Sequence, residues 1–252
     1  MLLIADVHGA FPALARVARS AEKVLILGDL VNLIDYRSNE GIVADVVGVD
    51  IVAEVSALRG ADRYDDARSL WTERTADLDI DVRGEVARGM RIQYEAMHEA
   101  LRGTRCLVTH GNVDDPEMLA AHLPDGCRYV HAEAMEIDGL RVGMVGGGIM
   151  RIGSRGEISD DDMADALDTL GPVDVLCTHV PPAIDMIAED VIAGSVKGSV
   201  PIREYLTRAR PSVHYFGDVH QPRASRWRLG STAVVNVGYF RATGRGVVHG
   251  TS

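Results

Sequence analysis

Cysteine is scarce: three residues in 252, Cys106, Cys127 and Cys177, too few and too scattered for a disulfide framework or a zinc ribbon. Each stands in or beside an apolar run, so buried free thiols are the expectation. Basic excess is lacking as well. Lys plus Arg number 26 against 37 Asp plus Glu, a formal net charge of −11, which argues against coating nucleic acid or an anionic membrane, since both need a basic face. No apolar run approaches the ~18 residues of a membrane span. Met1 to Ala5 is apolar for five residues only before Asp6, with no basic n-region and no h-region of a secretory signal. A cytoplasmic protein without a membrane partner is expected. Repeats, low-complexity tracts and any nucleophile-elbow or Cys/His signature are also missing. What remains is an ordinary globular composition, 46% hydrophobic and 25% charged, able to bury a core large enough to offset the entropy of folding.

The chain opens as strand, helix, strand: Leu2 to Ala5, Phe11 to Ala21, Lys23 to Leu27. From about Tyr36 to Gly103 it changes character. Ile42, Val46, Val49 and Val52 suggest one helix, and Val86, Met90, Tyr94, Met97 and Leu101 form an amphipathic stripe ending at Gly103. We read 1–252 as a single domain and 36–103 as a helical insertion, either a cap over a site or a surface through which copies associate. Strand signals return at Cys106 to Thr109, around an Asp138-Gly139 hairpin turn, at Val173 to Cys177, at Val213 to Phe216, and in a last hairpin through Ser225 to Arg228 and Ala233 to Asn236. Ser159 with Asp160 to Asp162 reads as an N-cap and acidic first turn of a helix to about Leu170.

Polar residues recur just after the apolar runs: Asp6 and His8, Asp29, Asn112, His179, Asp218 and His220. Each alone is an ordinary turn residue. Five such signals in order, all at the carboxyl ends of strands, mark the place where open α/β sheets build sites. Carboxylate, imidazole and amide together suit two divalent cations. The series resembles the calcineurin-like metallophosphoesterases, whose pattern D-x-H, G-D, G-N-H-[DE], H, G-H-x-H stands here as Asp6-Val7-His8, Gly28-Asp29, Gly111-Asn112-Val113-Asp114, His179 and Gly217-Asp218-Val219-His220. That resemblance implies an α/β fold of two packed sheets flanked by helices, a four-layer sandwich. Asp6, His8 and His220 would hold one cation, Asp29 would bridge, and Asn112, His179 and Asp218 would hold the second, with Asn112 also touching phosphate. Manganese heads the expected metals, with iron, magnesium or zinc as alternatives. Such cations, about 3.5–4 Å apart, acidify a water between them and neutralise phosphoryl charge.

Two departures from the pattern matter. Val113 replaces the histidine thought to assist the leaving group, so good leaving groups (aryl esters, nucleotide diesters, anhydrides) are expected over alkyl monoesters. Asp218 replaces a histidine, which favours harder cations unless its carboxylate turns away. His110 is either a stand-in acid or a buried, hydrogen-bonded histidine. Asp114 either supports the site or caps the helix at Pro116. Asn32 and Asp35 are either supporting partners or loop polars. Gly146-Gly147-Gly148 with Arg151 and Arg155 is either a phosphate cradle or a surface loop. The expected function is a metal-dependent phosphodiesterase for a small phosphoester, with no extended nucleic-acid surface. The alternative is a catalytically weak scaffold of the same fold that binds other proteins. A protein phosphatase is disfavoured, because phosphoserine has a poor leaving group.

Overall fold

The structure, a computed structural model, describes residues 1–35, 38–61, 63–192 and 194–250. Tyr36, where the helical insertion is expected to begin, lies outside them. The chain runs β1 (Leu2–Ile4), α1 (Phe11–Ala18) and β2 (Val24–Leu27), then four helices, α2 (Ile42–Val47), α3 (Val49–Gly60), α4 (Tyr64–Ala76) and α5 (Val82–Leu101). There follow β3 (Cys106–Thr109), α6 (Pro116–Ala121), β4 (Cys127–Tyr129), β5 (Glu133–Ile137), β6 (Leu140–Val145) and the short β7 (Gly148–Ile149) and β8 (Glu157–Ile158). The last part comprises α7 (Asp160–Leu170), β9 (Val175–Thr178), α8 (Asp185–Ala188), α9 (Val200–Ala209), β10 (Val213–Phe216), β11 (Arg226–Leu229), β12 (Thr232–Asn236), α10 (Phe240–Thr243) and β13 (Val247–Val248). Among the described residues no helix is long and apolar enough to cross a membrane.

Two main sheets organise this mixed α/β fold. One has the order β13-β1-β2-β3-β4, the other β11-β12-β10-β9-β6-β5. Strands β1, β2, β3 and β4 run parallel, as do β6, β9, β10 and β12. Alternation along β1 and β2 sends Ile4 and Ile26 to a cluster with Leu14 of α1 and with Tyr94 and Met97 of α5, while Leu3 and Leu25 join Met144, Val175 and Tyr215 of the other sheet. The opposite face of the second sheet, through Val145, Leu176 and Phe216, packs on Met163 and Leu167 of α7 and Ile202 and Leu206 of α9. Both sheets are therefore apolar on two faces, and each fully buried aliphatic side chain contributes about 1.5–3 kcal/mol.

Sequence pattern and structure agree where several signals coincide. The Val86, Met90, Tyr94, Met97, Leu101 stripe lies on α5, whose buried face joins the main core beside α1. Ser159 caps α7 by accepting from the Asp162 amide. Asp138 and Gly139 both take positive φ, 54° and 77°, as a tight hairpin turn requires. The helix expected through Ile42 to Val52 is instead two, because Gly48 adopts φ 95° and turns the chain between α2 and α3. Those helices and α4 share a small core of their own, including Val47, Val52, Val55 and Ala67. The expectation of three free thiols is corrected too. Cys106 and Cys127 are register partners on β3 and β4, with Cα atoms 4.5 Å apart, and form a disulfide; Cys177 is free and buried. Their separation of 21 residues hides a contact that parallel pairing creates.

Candidate metal centre

Because the strands carrying Asp6, Asp29, Asn112, His179 and Asp218 run parallel within each sheet, their carboxyl ends open onto one edge of the fold. Backbone contacts join the loops beyond them. Asp6 N–H donates to Gly28 O (3.2 Å), His8 N–H to Asp29 O (2.9 Å) and Gly217 N–H to His179 O (2.8 Å). His179 Nδ1 lies 2.8 Å from Leu27 O, across the two sheets. The loops approach so closely that glycine is required at two points. Gly28 has φ 97° and a Cβ there would stand 2.4 Å from Gly111 N; a Cβ on Gly111 would stand 2.1 Å from Asp29 Oδ1. Asp6, His8, Asp29 and Asp218 all have positive φ, between 41° and 64°, half of the eight non-glycine residues described in that region. Such backbone strain gathers where function holds it in place.

The side chains converge. Ligand atoms of Asp6, His8 and His220 lie within 4.8 Å of one another, as do those of Asp6, Asp29 and His179. Asp29 faces both groups: Oδ2 is 3.4 Å from His8 Nε2, and Oδ1 is 3.4 Å from His179 Nε2. Asn112 Oδ1 is 3.3 Å from His179 Nε2. His8 Nε2 is buried and has no hydrogen-bond partner, an arrangement that costs about 1–3 kcal/mol unless something fills the gap. An orphaned imidazole nitrogen among carboxylates has the donor chemistry of a divalent cation site, so these residues fit such an ion.

Charge in the cluster is strongly shifted. Burial opposes ionisation of Asp6, but hydrogen bonding and charge from His220, with His179 and His8 beyond, lower its carboxyl to about 2. Burial lowers the His8 imidazole despite Asp29. His179 is raised, because Asp29, Asp218 and Asp6 together outweigh the effect of its burial. Asp114 is pushed up to about 7 by burial and by the neighbouring Asp29 charge. Its carboxylate accepts from Leu30 N–H (3.1 Å), Gly111 N–H (2.9 Å) and Tyr94 Oη (3.2 Å). It therefore ties the Asp29 loop to the Asn112 loop. The cap ahead of Pro116 is Asp115, which accepts from Glu117 and Met118 amides; that corrects the capping alternative for Asp114.

His110 is buried, Nδ1 lies 2.8 Å from Tyr129 Oη, and burial with nearby His131 and His179 lowers it to about 3. Val113 is buried, and its amide donates to Asp29 Oδ1 at 3.2 Å. The amides of Gly146, Gly147 and Gly148 already donate to His131 Nδ1, His110 O and Gly156 O, so they form no phosphate cradle. Arg151 is exposed and donates to Tyr64 Oη and Val196 O; Arg155 pairs with Asp115 and Glu117. Asn32 N–H donates to Gln93 Oε1 at 2.7 Å. Asp35 reaches the site indirectly, through Arg241, whose guanidinium also donates to His8 O.

Two neighbours of the cluster escaped the motif reading. Tyr239 stacks on His220 with ring centroids 3.9 Å apart and planes 6° from parallel. Lys197 Nζ donates to Asp218 Oδ1 at 2.6 Å and to Asp218 O at 3.0 Å; the Asp218 charge raises its pKa against the effect of burial. A signal for Lys197 was present. Of 26 basic residues, only Lys23 and Lys197 are lysines, and this one lies between strand-end positions 179 and 218.

No protein-family model and no curated protein matches the chain. Solved structures do. One is 16% identical with a TM-score of 0.62, over 95% of this chain and 90% of its own. TT1561 of Thermus thermophilus is 13% identical with a TM-score of 0.53, over 95% of this chain and 89% of its own. At such identity the likeness establishes a shared fold and no more.

Proposed function

We propose that this chain is a metal-dependent phosphoesterase, a phosphodiesterase for a small phosphoester with a good leaving group, built on the four-layer metallophosphoesterase-like fold with α2 to α5 as an insertion. One observation carries the reading: Asp6, His8, Asp29, Asn112, His179 and His220, spread over the chain, meet in one largely buried cluster in which a histidine nitrogen has no hydrogen-bond partner. Asp6, His8, His220 and Asp29 would hold one divalent cation; Asp29, Asn112 and His179 would face a second position. Bound cations supply charge neutralisation at the phosphoryl group and a water acidified for attack. The chain's part is placement. Asp114 fixes the Asp29 and Asn112 loops together, and the Asn112 side chain, beside His179 Nε2, would contact a phosphoryl oxygen. Val113 offers no proton, and His110, held near 3 and bonded to Tyr129, is neutral at pH 7. Departure of the leaving group then rests on its own stability, which favours aryl or nucleotide diesters over alkyl monoesters.

The test is hydrolysis of bis(p-nitrophenyl) phosphate by metal-stripped protein with Mn²⁺ restored, beside Asn112→Ala. Turnover that returns with Mn²⁺ and is absent from the variant supports the reading. Retained cation without turnover on any phosphoester favours the scaffold alternative.

A further inference from the structure

Resting on the metal-centre reading above, we propose that Lys197 makes the two halves of the cluster unequal: the chain takes one tightly held divalent cation, at Asp6, His8, Asp29 and His220, and presents the Lys197 ammonium in place of a second tight one. The oxygen of Asp218 that faces His179 Nε2, 3.8 Å away, is the same Oδ1 that Lys197 Nζ holds at 2.6 Å. A carboxylate in that contact has its charge already matched, and a cation beside His179 would meet a neighbouring positive charge. Among the described residues no cluster of three carboxylate or imidazole ligands includes Asp218, whereas Asp6 belongs to both that exist. The clamp is anchored at each end. Lys197 N–H donates to Ala188 O at 2.9 Å, and Asp218 N–H donates to both Asp6 oxygens at 3.1 Å. The Lys197 side chain is 28% exposed against 4% for Asp218, so the pair is more open to solvent along its lysine. The ammonium is a fixed positive charge beside the cluster, of the kind an anionic phosphoester pairs with. Lys197 is thus a positioning residue for Asp218 and the charge that completes the half-site.

The test is Mn²⁺ binding to the whole chain, by metal analysis after desalting, calorimetric titration and electron paramagnetic resonance. The wild type is expected to keep one Mn²⁺ with a mononuclear spectrum. Lys197→Met is expected to bind a second Mn²⁺ at least about tenfold more tightly than the wild type does, with a spin-coupled signature; Lys197→Arg, which keeps the charge, is expected to stay at one. Two tight, spin-coupled Mn²⁺ in the wild type would overturn the proposal even if Lys197→Met failed to fold, while leaving the phosphoesterase reading standing. No tight Mn²⁺ at all would overturn both.

Discussion

On the Asp6 side of the cluster, two histidines and a carboxylate point inward and one imidazole nitrogen is left without a hydrogen-bond partner. On the Asp218 side, the carboxylate is already held by an ammonium. Both sides use the same device, a strand that ends in a residue with positive φ, so the backbone does not distinguish them. The difference comes from a loop far along the chain, the one that delivers Lys197. A symmetric-looking set of strand ends can therefore hold charge asymmetrically, and the asymmetry is visible only once the loops between motifs are in place.

Substitution on the two sides should break this comparison most clearly. If the proposed activity is correct, Asp6→Asn removes a ligand common to both groups and is expected to lower kcat/KM for a p-nitrophenyl diester by about 10³-fold or more, several kcal/mol of charge stabilisation. Asp218→Asn, on a side already neutralised, is expected to cost only about tenfold. Steady-state kinetics with matched Mn²⁺ decides; a loss in Asp218→Asn as large as that in Asp6→Asn would mean that the Asp218 carboxylate acts in the site despite Lys197. Next in size is Asp114, which joins the Asp29 loop to the Asn112 loop. Asp114→Ala leaves the Leu30 and Gly111 amides and the Tyr94 hydroxyl buried without their acceptor, an expected loss of about 3 kcal/mol or more, read from urea unfolding.

Acid should act on the scaffold as well as on the cluster, and the two can be separated. His214 is fully buried on β10, bonded through Nε2 to Thr178 Oγ1, and burial lowers it from 6.5 to about 3. It is neutral in the fold and protonated in the unfolded chain at acid pH. Its contribution is thus present above about 6.5 and is lost as pH falls toward 3. One such group removes roughly 2 kcal/mol between pH 7 and pH 5. His214→Gln is expected to flatten that part of the stability profile without changing how Mn²⁺ binding depends on pH. An unchanged slope in the variant would assign the acid lability to other groups.

The strand ends were legible in the sequence because each combines an apolar run with a ligand-type residue, and all but the His179 one add a glycine. The α5 stripe and the Ser159 cap were legible for a similar reason, since periodicity or capping chemistry is local. What escaped depends on tertiary placement. The valine-rich pattern from Ile42 to Val52 carries no sign that Gly48 will take φ 95°. The Cys106–Cys127 pair follows from β3 and β4 lying in register, and the choice between Asp114 and Asp115 as cap turns on which carboxylate the Asp29 loop claims. Lys197 belongs to no strand end. Its lone ammonium acquires meaning only from the Asp218 carboxylate 21 residues later.

The finest test concerns orientation within the Asp6 side. Tyr239 lies flat on the His220 ring, and the His8 ring meets Tyr239 edge-on with centroids 5.8 Å apart. The adjoining α10 is tied to the Asp6 loop, because Phe240 and Arg241 amides donate to Ala5 O and Asp6 O. The tyrosine therefore sets the rotation of His220 about its side chain and excludes water from one face. Such a stack contributes about 1 kcal/mol. Tyr239→Leu keeps apolar cover but loses the ring, and is expected to weaken Mn²⁺ binding on that side about fivefold. Tyr239→Phe keeps the stack and should bind as the wild type does. A loss in Tyr239→Phe equal to that in Tyr239→Leu would move the effect from the ring to the hydroxyl, and the Asp6 side would then depend on a hydrogen bond rather than on the plane against which its histidine rests.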